Sequence, residues 1–302
     1  MYFITGSSGF VGSRLINALK MQSSNLRLLS RNNQPGFDTI ICDLQSEQLP
    51  KNSLKGVHTI FHLAGFAHDM RNTDKIKHLY EEVNLGATIR LANLAAASGV
   101  KRFVFLSTVK AGGEILSNKC MSELDQNQPK DIYGKTKRDA ELKLMKIGES
   151  TEMNISIIRS SLIYGPGMKG NLRFMMKGIE QGWFPPLPKI GNRRSMIHVD
   201  DIVRGLMLVA SDDRAKNEIF IVTDGVPYSS NEIYNSMCSV LGKKVPGWSI
   251  PRFVLKLISL VSFNNRHKIN KLFNDEFYSS KKIKLLGFKP ERNLVEMNET
   301  SF

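Results

Sequence analysis

Cysteine is scarce in this chain: among 302 residues there are only three, Cys42, Cys120 and Cys238. An odd number of widely separated cysteines without a Cys-x-x-Cys spacing argues against a disulfide framework and against a zinc site. The same pattern is typical of a reducing compartment. We therefore expect a cytoplasmic protein without a bound metal.

Long apolar runs are also lacking. No uninterrupted apolar stretch approaches the roughly 18 residues of a membrane-spanning helix, so we expect no membrane span. The first apolar segment begins at Tyr2, and neither a basic region nor a cleavage site precedes it. We therefore expect no signal peptide.

Blocks of like charge are missing as well, although the formal net charge is +14. Nucleic-acid binding is one interpretation of such a charge, but it is typical of clustered Lys and Arg, and here they are dispersed. The pattern favours a solvated basic surface, or one that attracts an anionic nucleotide ligand or a membrane surface. We therefore expect no nucleic-acid partner.

Short apolar runs alternate with longer helical patterns in the N-terminal half. Strands are predicted at Tyr2–Thr5, Leu26–Ser30, Thr39–Cys42, Thr59–His62, Arg102–Leu106 and Ile155–Ile158. Helices are predicted at Phe10–Met21, Lys75–Ala97 and Tyr133–Ile147. This alternation predicts an α/β fold with a doubly wound parallel sheet of the Rossmann type.

The composition of the sequence changes near residue 165, where glycine and proline become frequent. We expect a dinucleotide-binding domain over residues 1–164 and a smaller C-terminal substrate-binding lobe over residues 165–302. Some later segments, such as Ile219–Val222, are expected to return to the main sheet.

The turn after the first strand is rich in glycine, with a G-x-x-G-x-x-G spacing instead of the usual G-x-G-x-x-G. Glycines allow a tight turn and the close approach of a pyrophosphate, and the following helix offers free N–H groups. A glycine-rich turn without a ligand is the alternative, but its place between strand and helix favours nucleotide binding. The predicted contacts are Gly6, Ser8, Gly9, Phe10, Val11 and Gly12.

No acidic residue follows the second strand. NAD-binding sheets usually carry Asp or Glu about 20 residues beyond the glycines, to hold the ribose 2′-hydroxyl. Here Arg31 follows Ser30, and an arginine can pair with a 2′-phosphate instead. We therefore favour NADP(H), with NAD(H) as the alternative. Asp43, after the third strand, is placed to meet an adenine ring, although a role in capping a turn also fits.

Tyr133 and Lys137 are four residues apart, so a helix would place them on one face. An ammonium group beside a phenol favours the phenolate and can lower the phenol pKa from about 10 toward neutrality. Such a pair could move a proton at a carbonyl or alcohol oxygen, although an ordinary surface pair has the same spacing.

These motifs occur in an order that resembles the extended short-chain dehydrogenase/reductases, specifically the sugar-nucleotide epimerase/dehydratase group. The matching segments are residues 5–12, 43–44, 62–65, 83–88, 105–108, 133–137, 159–167 and 194–201. The resemblance spans nearly the whole chain. It implies an NAD(P)-dependent enzyme with a UDP-sugar substrate, and a homodimer built from two helices per subunit is common in such a family.

The resemblance also implies roles for individual residues. Tyr133 would exchange a proton with the C4 oxygen of the sugar, and Lys137 would hold the nicotinamide ribose. Thr108 would hydrogen-bond the same oxygen. Ser107 could share that role, or its hydroxyl could hydrogen-bond a backbone group at the end of the strand. Substrate binding is predicted for Thr108, Arg194 and Asn171. Further cofactor contacts are predicted for Leu44, Leu63, Ala64, Gly65, Asn84, Tyr133 and Lys137.

One departure from the family bears on the reaction. In 4,6-dehydratases of this group, Asp-Glu follows the threonine and serves as acid and base for elimination, whereas Val109 and Lys110 follow Thr108 here. A dehydratase is therefore not expected. Residues 107–114 and 192–195 are similar to a bacterial subgroup of O-antigen and capsule (lipopolysaccharide) biosynthesis, which resembles reductases of UDP-4-keto-6-deoxy-N-acetylhexosamines.

Three functions remain open. A 4-ketoreductase would use exchangeable NADPH and a proton from Tyr133, whereas a UDP-sugar 4-epimerase would keep NAD tightly bound. The absent acid after the second strand favours the reductase. A non-catalytic NADP-sensing protein is the third interpretation, against which Tyr133 and Lys137 argue.

The segment Pro251–Phe263 is apolar with two basic residues. We expect a helix packed in the core or at a dimer interface. Peripheral contact with an acidic membrane surface is the alternative.

Overall fold

The computed structural model describes residues 1–22, 24–67, 73–115, 119–261 and 272–301. Its strands are β1 (Tyr2–Thr5), β2 (Leu26–Ser30), β3 (Asp38–Ile41), β4 (Thr59–His62), β5 (Arg102–Thr108), β6 (Asn154–Ser160), β7 (Leu162–Tyr164), β8 (Arg194–His198), β9 (Glu218–Val222) and β10 (Pro227–Tyr228). Its α-helices are α1 (Phe10–Met21), α2 (Thr73–Tyr80), α3 (Ala87–Ala97), α4 (Ile132–Ser150), α5 (Gly170–Glu180), α6 (Val199–Ser211), α7 (Ser230–Val240), α8 (Arg252–Val261) and α9 (Lys281–Lys284).

Seven of these strands form one parallel sheet in the order β3-β2-β1-β4-β5-β6-β9. The predicted doubly wound α/β fold is confirmed. The strand order reverses between β1 and β4, and in open α/β sheets ligands bind at such a reversal, beyond the carboxyl ends of the strands. A second sheet, in the order β10-β8-β7, belongs to the C-terminal part.

The two faces of the main sheet bury separate sets of apolar side chains, because successive residues of a strand point to opposite sides. In β1, Ile4 packs with Leu15 of α1 and Leu206 of α6. Its neighbour Phe3 packs on the other face with Leu91 of α3 and Leu144 of α4. Helices therefore cover both faces of the sheet.

The boundary near residue 165 does not divide the main sheet. Strand β9 pairs with β6, and α6 packs beside α1, so both return to the first domain. The smaller lobe has its own core, in which α5 and α7 pack around Met196 of β8 and Tyr228 of β10.

One predicted helix is interrupted. The pattern over Lys75–Ala97 gives α2, then a π-helical turn over Glu81–Gly86, then α3. Such turns insert an extra residue into a helix and are frequent at functional sites. This one contains Asn84, a predicted cofactor residue. Elsewhere the ends of the predicted elements shift by a few residues, and β5 extends to include Thr108.

Helix α4 is fixed at two points. Its N-cap Asp131 accepts a hydrogen bond from the Gly134 backbone N–H at 2.7 Å. In its middle, Glu141 forms an ion pair with Arg159 of β6 at 2.6 Å, and both side chains are 1% exposed. A charge in such a place is stable only with its partner, so this pair holds α4 in one position on the sheet. Among the described residues, no helix has both the length and the apolarity to cross a membrane.

The buried pair gives a stability prediction. Glu141→Ala leaves the Arg159 guanidinium buried without its counter-ion, and we expect the free energy of unfolding to fall by about 3–5 kcal/mol. The double variant Glu141→Ala/Arg159→Met should recover part of that loss. Urea unfolding monitored by circular dichroism measures both changes.

The matched control is Glu152→Ala, which removes a carboxylate that is 93% exposed and lies 3.6 Å from the Lys101 ammonium. It should leave the urea midpoint unchanged, because solvent screens exposed pairs. Equal effects of Glu141→Ala and Glu152→Ala would contradict the role given to the buried pair.

Candidate active site

The predicted site motifs meet at the carboxyl edge of the main sheet. Thr5 of β1 lies beside His62 of β4, and β5 ends next along the sheet at Thr108. Parallel strands bring all their carboxyl ends to one edge, so motifs far apart in sequence become neighbours.

The glycine turn packs too tightly to accept side chains. Gly6 has a φ of +70°, and a Cβ there would lie 2.7 Å from the Ala64 backbone nitrogen. A Cβ on Gly12 would lie 2.1 Å from the Gly6 carbonyl oxygen. Both distances are far below van der Waals contact, so glycine is required at both positions.

The same turn leaves the start of α1 open to an anion. Gly9 is the N-cap and supplies no side-chain hydrogen bond, and the first turn of α1 contains no acidic residue. The first backbone N–H groups of a helix have no intrahelical acceptor, and they lie at the positive end of its dipole. These features fit the pyrophosphate of a dinucleotide cofactor. Of the other predicted contacts, Ser8 is exposed, Phe10 is partly buried and Val11 is buried.

At the end of β2, Arg31 is exposed and no acid lies between it and Phe37. The next carboxylate, Asp38, is paired with Arg27 at 2.6 Å toward the opposite edge of the sheet. Asp43 accepts a hydrogen bond from the Gln45 backbone N–H at 3.0 Å, which makes it the cap of its own turn. Its predicted contact with adenine remains a prediction.

Beyond that turn, Leu44 is buried in the core, and its carbonyl oxygen accepts a hydrogen bond from Arg90 at 3.0 Å. The predicted contact of Leu44 with the cofactor remains a prediction.

The segment after β4 is held by a buried histidine. His62 Nδ1 lies 2.7 Å from Thr5 Oγ1, and its Nε2 lies 2.8 Å from Thr88 Oγ1. Burial, with the nearby Lys137 charge second, lowers the pKa of His62 to about 3, so the ring is neutral at physiological pH. Thr5 Oγ1 also accepts the Ala64 backbone N–H at 3.1 Å. These bonds position the predicted cofactor segment 63–65.

Asn84 connects three parts of the site. Its side chain accepts a hydrogen bond from the Phe66 backbone N–H at 2.7 Å and donates to the Phe66 carbonyl at 3.0 Å. It also donates to Thr136 Oγ1 of α4 at 3.3 Å. A Cβ on Gly65 would lie 3.2 Å from the Asn84 amide oxygen and 3.9 Å from Lys137 Nζ. Gly65, Asn84 and Lys137 therefore lie close together, and their contact with the cofactor remains a prediction.

Tyr133 lies in the first turn of α4, and its ring centroid is 6.4 Å from that of Tyr80. One turn later, Lys137 is 3% exposed. Its Nζ donates to the Leu106 carbonyl at 2.7 Å and lies 3.8 Å from the centroid of the Phe105 ring. The lysine thus reaches back to the end of β5.

The predicted lowering of the Tyr133 pKa is wrong for this structure. Burial, followed by the nearby charges of Asp131 and Tyr80, holds the pKa of the Tyr133 phenol well above its ordinary value. Burial also lowers the pKa of Lys137 to about 7, against the opposing effect of Glu141. At neutral pH Tyr133 is therefore a protonated phenol, and Lys137 is partly neutral.

The two hydroxyls at the end of β5 have different partners. Thr108 caps the 3₁₀ turn Val109–Gly112, and its Oγ1 accepts the Lys110 backbone N–H at 3.3 Å. The first turn of α4 packs on that turn, since a Cβ on Gly134 would lie 2.8 Å from the Lys110 carbonyl oxygen. Thr108 and the start of α4 are therefore held close together.

The adjacent Ser107 donates its hydroxyl to Glu141 at 2.5 Å in a buried network. This bond commits the Ser107 side chain to positioning α4, so we do not place it at the substrate oxygen. Glu141 itself was missed by the sequence interpretation. It lies four residues after Lys137, and that helical spacing could have revealed it.

Besides Thr108, the predicted substrate residues Arg194 and Asn171 lie in the smaller lobe. Arg194 opens β8 and forms an ion pair with Glu276 at 2.6 Å, while its neighbour Arg193 pairs with Asp275 at 3.1 Å. Asn171 is exposed in the first turn of α5. No sequence pattern indicated the two carboxylates, because they lie some 80 residues away in the chain. A substrate diphosphate at Arg194 would compete with Glu276.

Among the described residues, no group of three or more His, Cys, Asp and Glu side chains is arranged to hold a metal ion.

Comparison with known proteins agrees with this geometry. The model of the NAD dependent epimerase/dehydratase family matches residues 2–223. A UDP-glucose 4-epimerase of Vibrio cholerae is 32% identical over 255 residues, which cover 82% of this chain and 77% of that protein. An N-acetyl-alpha-D-glucosaminyl-diphospho-ditrans,octacis-undecaprenol 4-epimerase of Escherichia coli O157:H7 is 28% identical over 255 residues, with 82% and 74% covered.

A solved structure gives the same result. MoeE5 in complex with UDP-glucose and NAD is 26% identical and has a TM-score of 0.78, with 98% of this chain and 95% of that chain covered. The match of the family model extends over the glycine turn, the Tyr133–Lys137 helix and β8. The chain therefore belongs to the NAD-dependent epimerase/dehydratase family, a family of enzymes of the sugar-nucleotide type.

Proposed function

We propose that this enzyme reduces the C4 ketone of a UDP-4-keto-6-deoxy-N-acetylhexosamine in O-antigen or capsule polysaccharide biosynthesis. The observation that carries the proposal is the end of β2, where exposed Arg31 directly follows Ser30 and no acidic residue is present to bind the ribose. The absence of that acid favours exchangeable NADPH, which a reductase needs in every turnover.

When bound, the nicotinamide would supply a hydride to the sugar C4. Tyr133 would donate its phenolic proton to the C4 oxygen, so that the ketone becomes a secondary alcohol. The Thr108 hydroxyl would hydrogen-bond the same oxygen and orient it. The Lys137 ammonium group would hold the nicotinamide ribose, and it would stabilise the phenolate that remains after proton transfer.

Binding of the substrate would rest on the smaller lobe. Arg194 offers a planar guanidinium fork that suits a diphosphate, and Asn171 lies at the start of α5. The substitution of Val109 and Lys110 for an acidic pair leaves no proton shuttle for elimination at C5–C6. The reaction therefore stops at C4.

A UDP-sugar 4-epimerase is the second candidate. It is favoured by the 32% identity to the Vibrio cholerae UDP-glucose 4-epimerase and by the NAD in the MoeE5 complex. An epimerase would oxidise C4 and return the hydride to the other face, with no net use of cofactor. Tyr133 would then act first as a base, for which its raised pKa is unfavourable.

One incubation separates the two candidates. The purified protein is mixed with a UDP-4-keto-6-deoxy-N-acetylhexosamine and NADPH, and in parallel with UDP-glucose or UDP-N-acetylglucosamine without added cofactor. A reductase consumes NADPH in the first mixture, and product NMR gives the configuration at C4. Conversion in the second mixture alone would establish the epimerase and overturn the reductase.

Tyr133→Phe tests the proton donor. The variant keeps the ring but loses the acidic hydroxyl, so turnover should fall by about 100-fold or more while cofactor affinity stays nearly constant. Stopped-flow or steady-state consumption of NADPH measures the loss. Tyr2→Phe, at the opposite end of β1, is the matched control and should keep wild-type turnover. Unchanged turnover of Tyr133→Phe would remove the residue from the mechanism.

Arg31→Ala tests the cofactor preference. We expect NADPH to bind the wild type about tenfold tighter than NADH, because a charge-assisted pair with the 2′-phosphate contributes about 1.5–3 kcal/mol. The variant should bind both cofactors equally. Titration of cofactor fluorescence measures the affinities, and Arg27→Ala, on the same strand but paired with Asp38, should retain the preference. Equal affinities in the wild type would contradict the NADPH assignment.

Lys137→Met tests the protonation state of the buried amine. Between a folded pKa of about 7 and the ordinary value of 10.5, the unfolded chain binds a proton at Lys137 that the folded chain lacks. The contribution of Lys137 to the free energy of unfolding therefore rises with pH in this window. We expect the stability of the variant relative to wild type to be greatest at or below pH 7 and to decline toward pH 10.

Urea unfolding of the cofactor-free protein at pH 6, 7, 8, 9 and 10 measures this difference. Lys135→Met, at an exposed position of the same helix, is the control and should give a difference that does not change with pH. A constant difference for Lys137→Met would mean that Lys137 is an ordinary ammonium in the folded protein.

A further inference from the structure

The smaller lobe carries an exposed aromatic face that the proposed reaction does not use. This aromatic face comprises Phe174, Trp183, Trp248, Phe253 and Leu257, each of which is about half exposed or more. Large apolar side chains rarely gather on a surface without an interaction partner. The two tryptophans of the chain both belong to it.

Contacts within the structure join the first three of these side chains. The rings of Phe174 and Trp183 meet edge to face at 4.8 Å. Trp183 and Trp248 line one groove of about 350 Å³. The Ile250 backbone N–H then donates to the Pro186 carbonyl at 3.0 Å, which ties the chain after Trp248 to the wall of that groove.

Helix α8 extends the face. Phe253 is 63% exposed and Leu257 is 58% exposed, and they are one helical turn apart on the same side of the helix. Leu255, on the other side, is 5% exposed and packs inward. The helix therefore anchors itself with one side and presents an apolar stripe with the other.

Basic residues surround the aromatic face. Lys243 and Lys244 line the groove, and Lys177, Lys189 and Arg252 are exposed nearby in the chain. From Lys243 to Val261 the sequence has no acidic residue, and within residues 173–189 Glu180 is the only one. An apolar face with tryptophans and a basic rim matches the composition of an interfacial membrane-binding surface.

We propose that the aromatic face docks on an anionic membrane surface. The aromatic and leucine side chains enter the interface between headgroups and acyl chains, while Lys177, Lys189 and Lys244 meet the lipid phosphates. The docking is peripheral, because no helix of the described residues could cross a bilayer. It is independent of the reaction proposed above, since none of these residues takes part in that chemistry.

The charge of the rim favours a membrane over a second copy of this chain. In a two-fold symmetric contact the same patch faces itself, so the lysines of one rim would lie against those of the other. Such like-charge contact opposes association, whereas an anionic leaflet attracts every basic residue of the rim. Electrostatic attraction of this kind weakens as salt is added.

Tryptophan fluorescence of the full-length protein tests the proposal directly, because both tryptophans lie in the aromatic face. Vesicles of phosphatidylcholine with about one third phosphatidylglycerol should shift the emission to the blue and carry the protein into the pellet on centrifugation. Pure phosphatidylcholine vesicles should bind much less. Raising the salt to about 0.5 M should release the protein.

Two variants locate the contact while retaining both tryptophans. Phe253→Ala/Leu257→Ala should lower the partition coefficient by about tenfold or more, because two apolar side chains no longer enter the interface. Leu124→Ala, at a leucine that is 92% exposed elsewhere, should leave it unchanged. Lys244→Glu should weaken binding by about tenfold, whereas Lys51→Glu in the first domain should have a smaller effect. Thermal unfolding must show that each variant is folded.

Three results would overturn the proposal. The first is a wild type that does not sediment with anionic vesicles, and the second is equal binding to neutral vesicles. The third is a dimer, seen by analytical ultracentrifugation, that Phe253→Ala/Leu257→Ala dissociates, without any binding to vesicles. That last outcome would make the aromatic face a contact between subunits.

Discussion

The ion pair between Arg159 and Glu141 holds the Tyr133–Lys137 helix on the sheet, and the geometry of the candidate site depends on it. Both charges are buried, so neither can leave the other without a large loss of stability. Glu141 also accepts the hydroxyl of Ser107. The Glu141 carboxylate thus connects α4 with β5 and β6. These contacts fix the position of Tyr133 relative to Thr108.

Burial of this region also determines the protonation states of Tyr133 and Lys137. The same removal of water that raises the pKa of Tyr133 lowers that of Lys137, because each group is disfavoured in its charged form. A negative charge beside Lys137 would favour its ammonium form. Binding of an anionic dinucleotide would therefore shift Lys137 toward its ammonium form.

The sequence was most informative where a residue type has a single physical use. Gly6 and Gly12 were recognised because a tight turn between strand and helix requires glycine, whereas Gly65, Asn84 and Lys137 were predicted through the family resemblance. The electrostatic effects of tertiary contacts could not be predicted from the sequence. The carboxylates of Asp275 and Glu276 pair with Arg193 and Arg194 across a long stretch of chain, and the burial of Tyr133 reversed a pKa shift inferred from spacing alone.

The fate of the hydride tests the central claim most directly. The protein is supplied with NADPH that carries deuterium at the transferable C4 position of the nicotinamide, together with a UDP-4-keto-6-deoxy-N-acetylhexosamine. The account predicts one deuterium per product molecule, at C4 of the sugar and in a single configuration, as seen by NMR. A product with deuterium at another carbon, or a sugar changed at C4 without any label, would contradict reduction at C4.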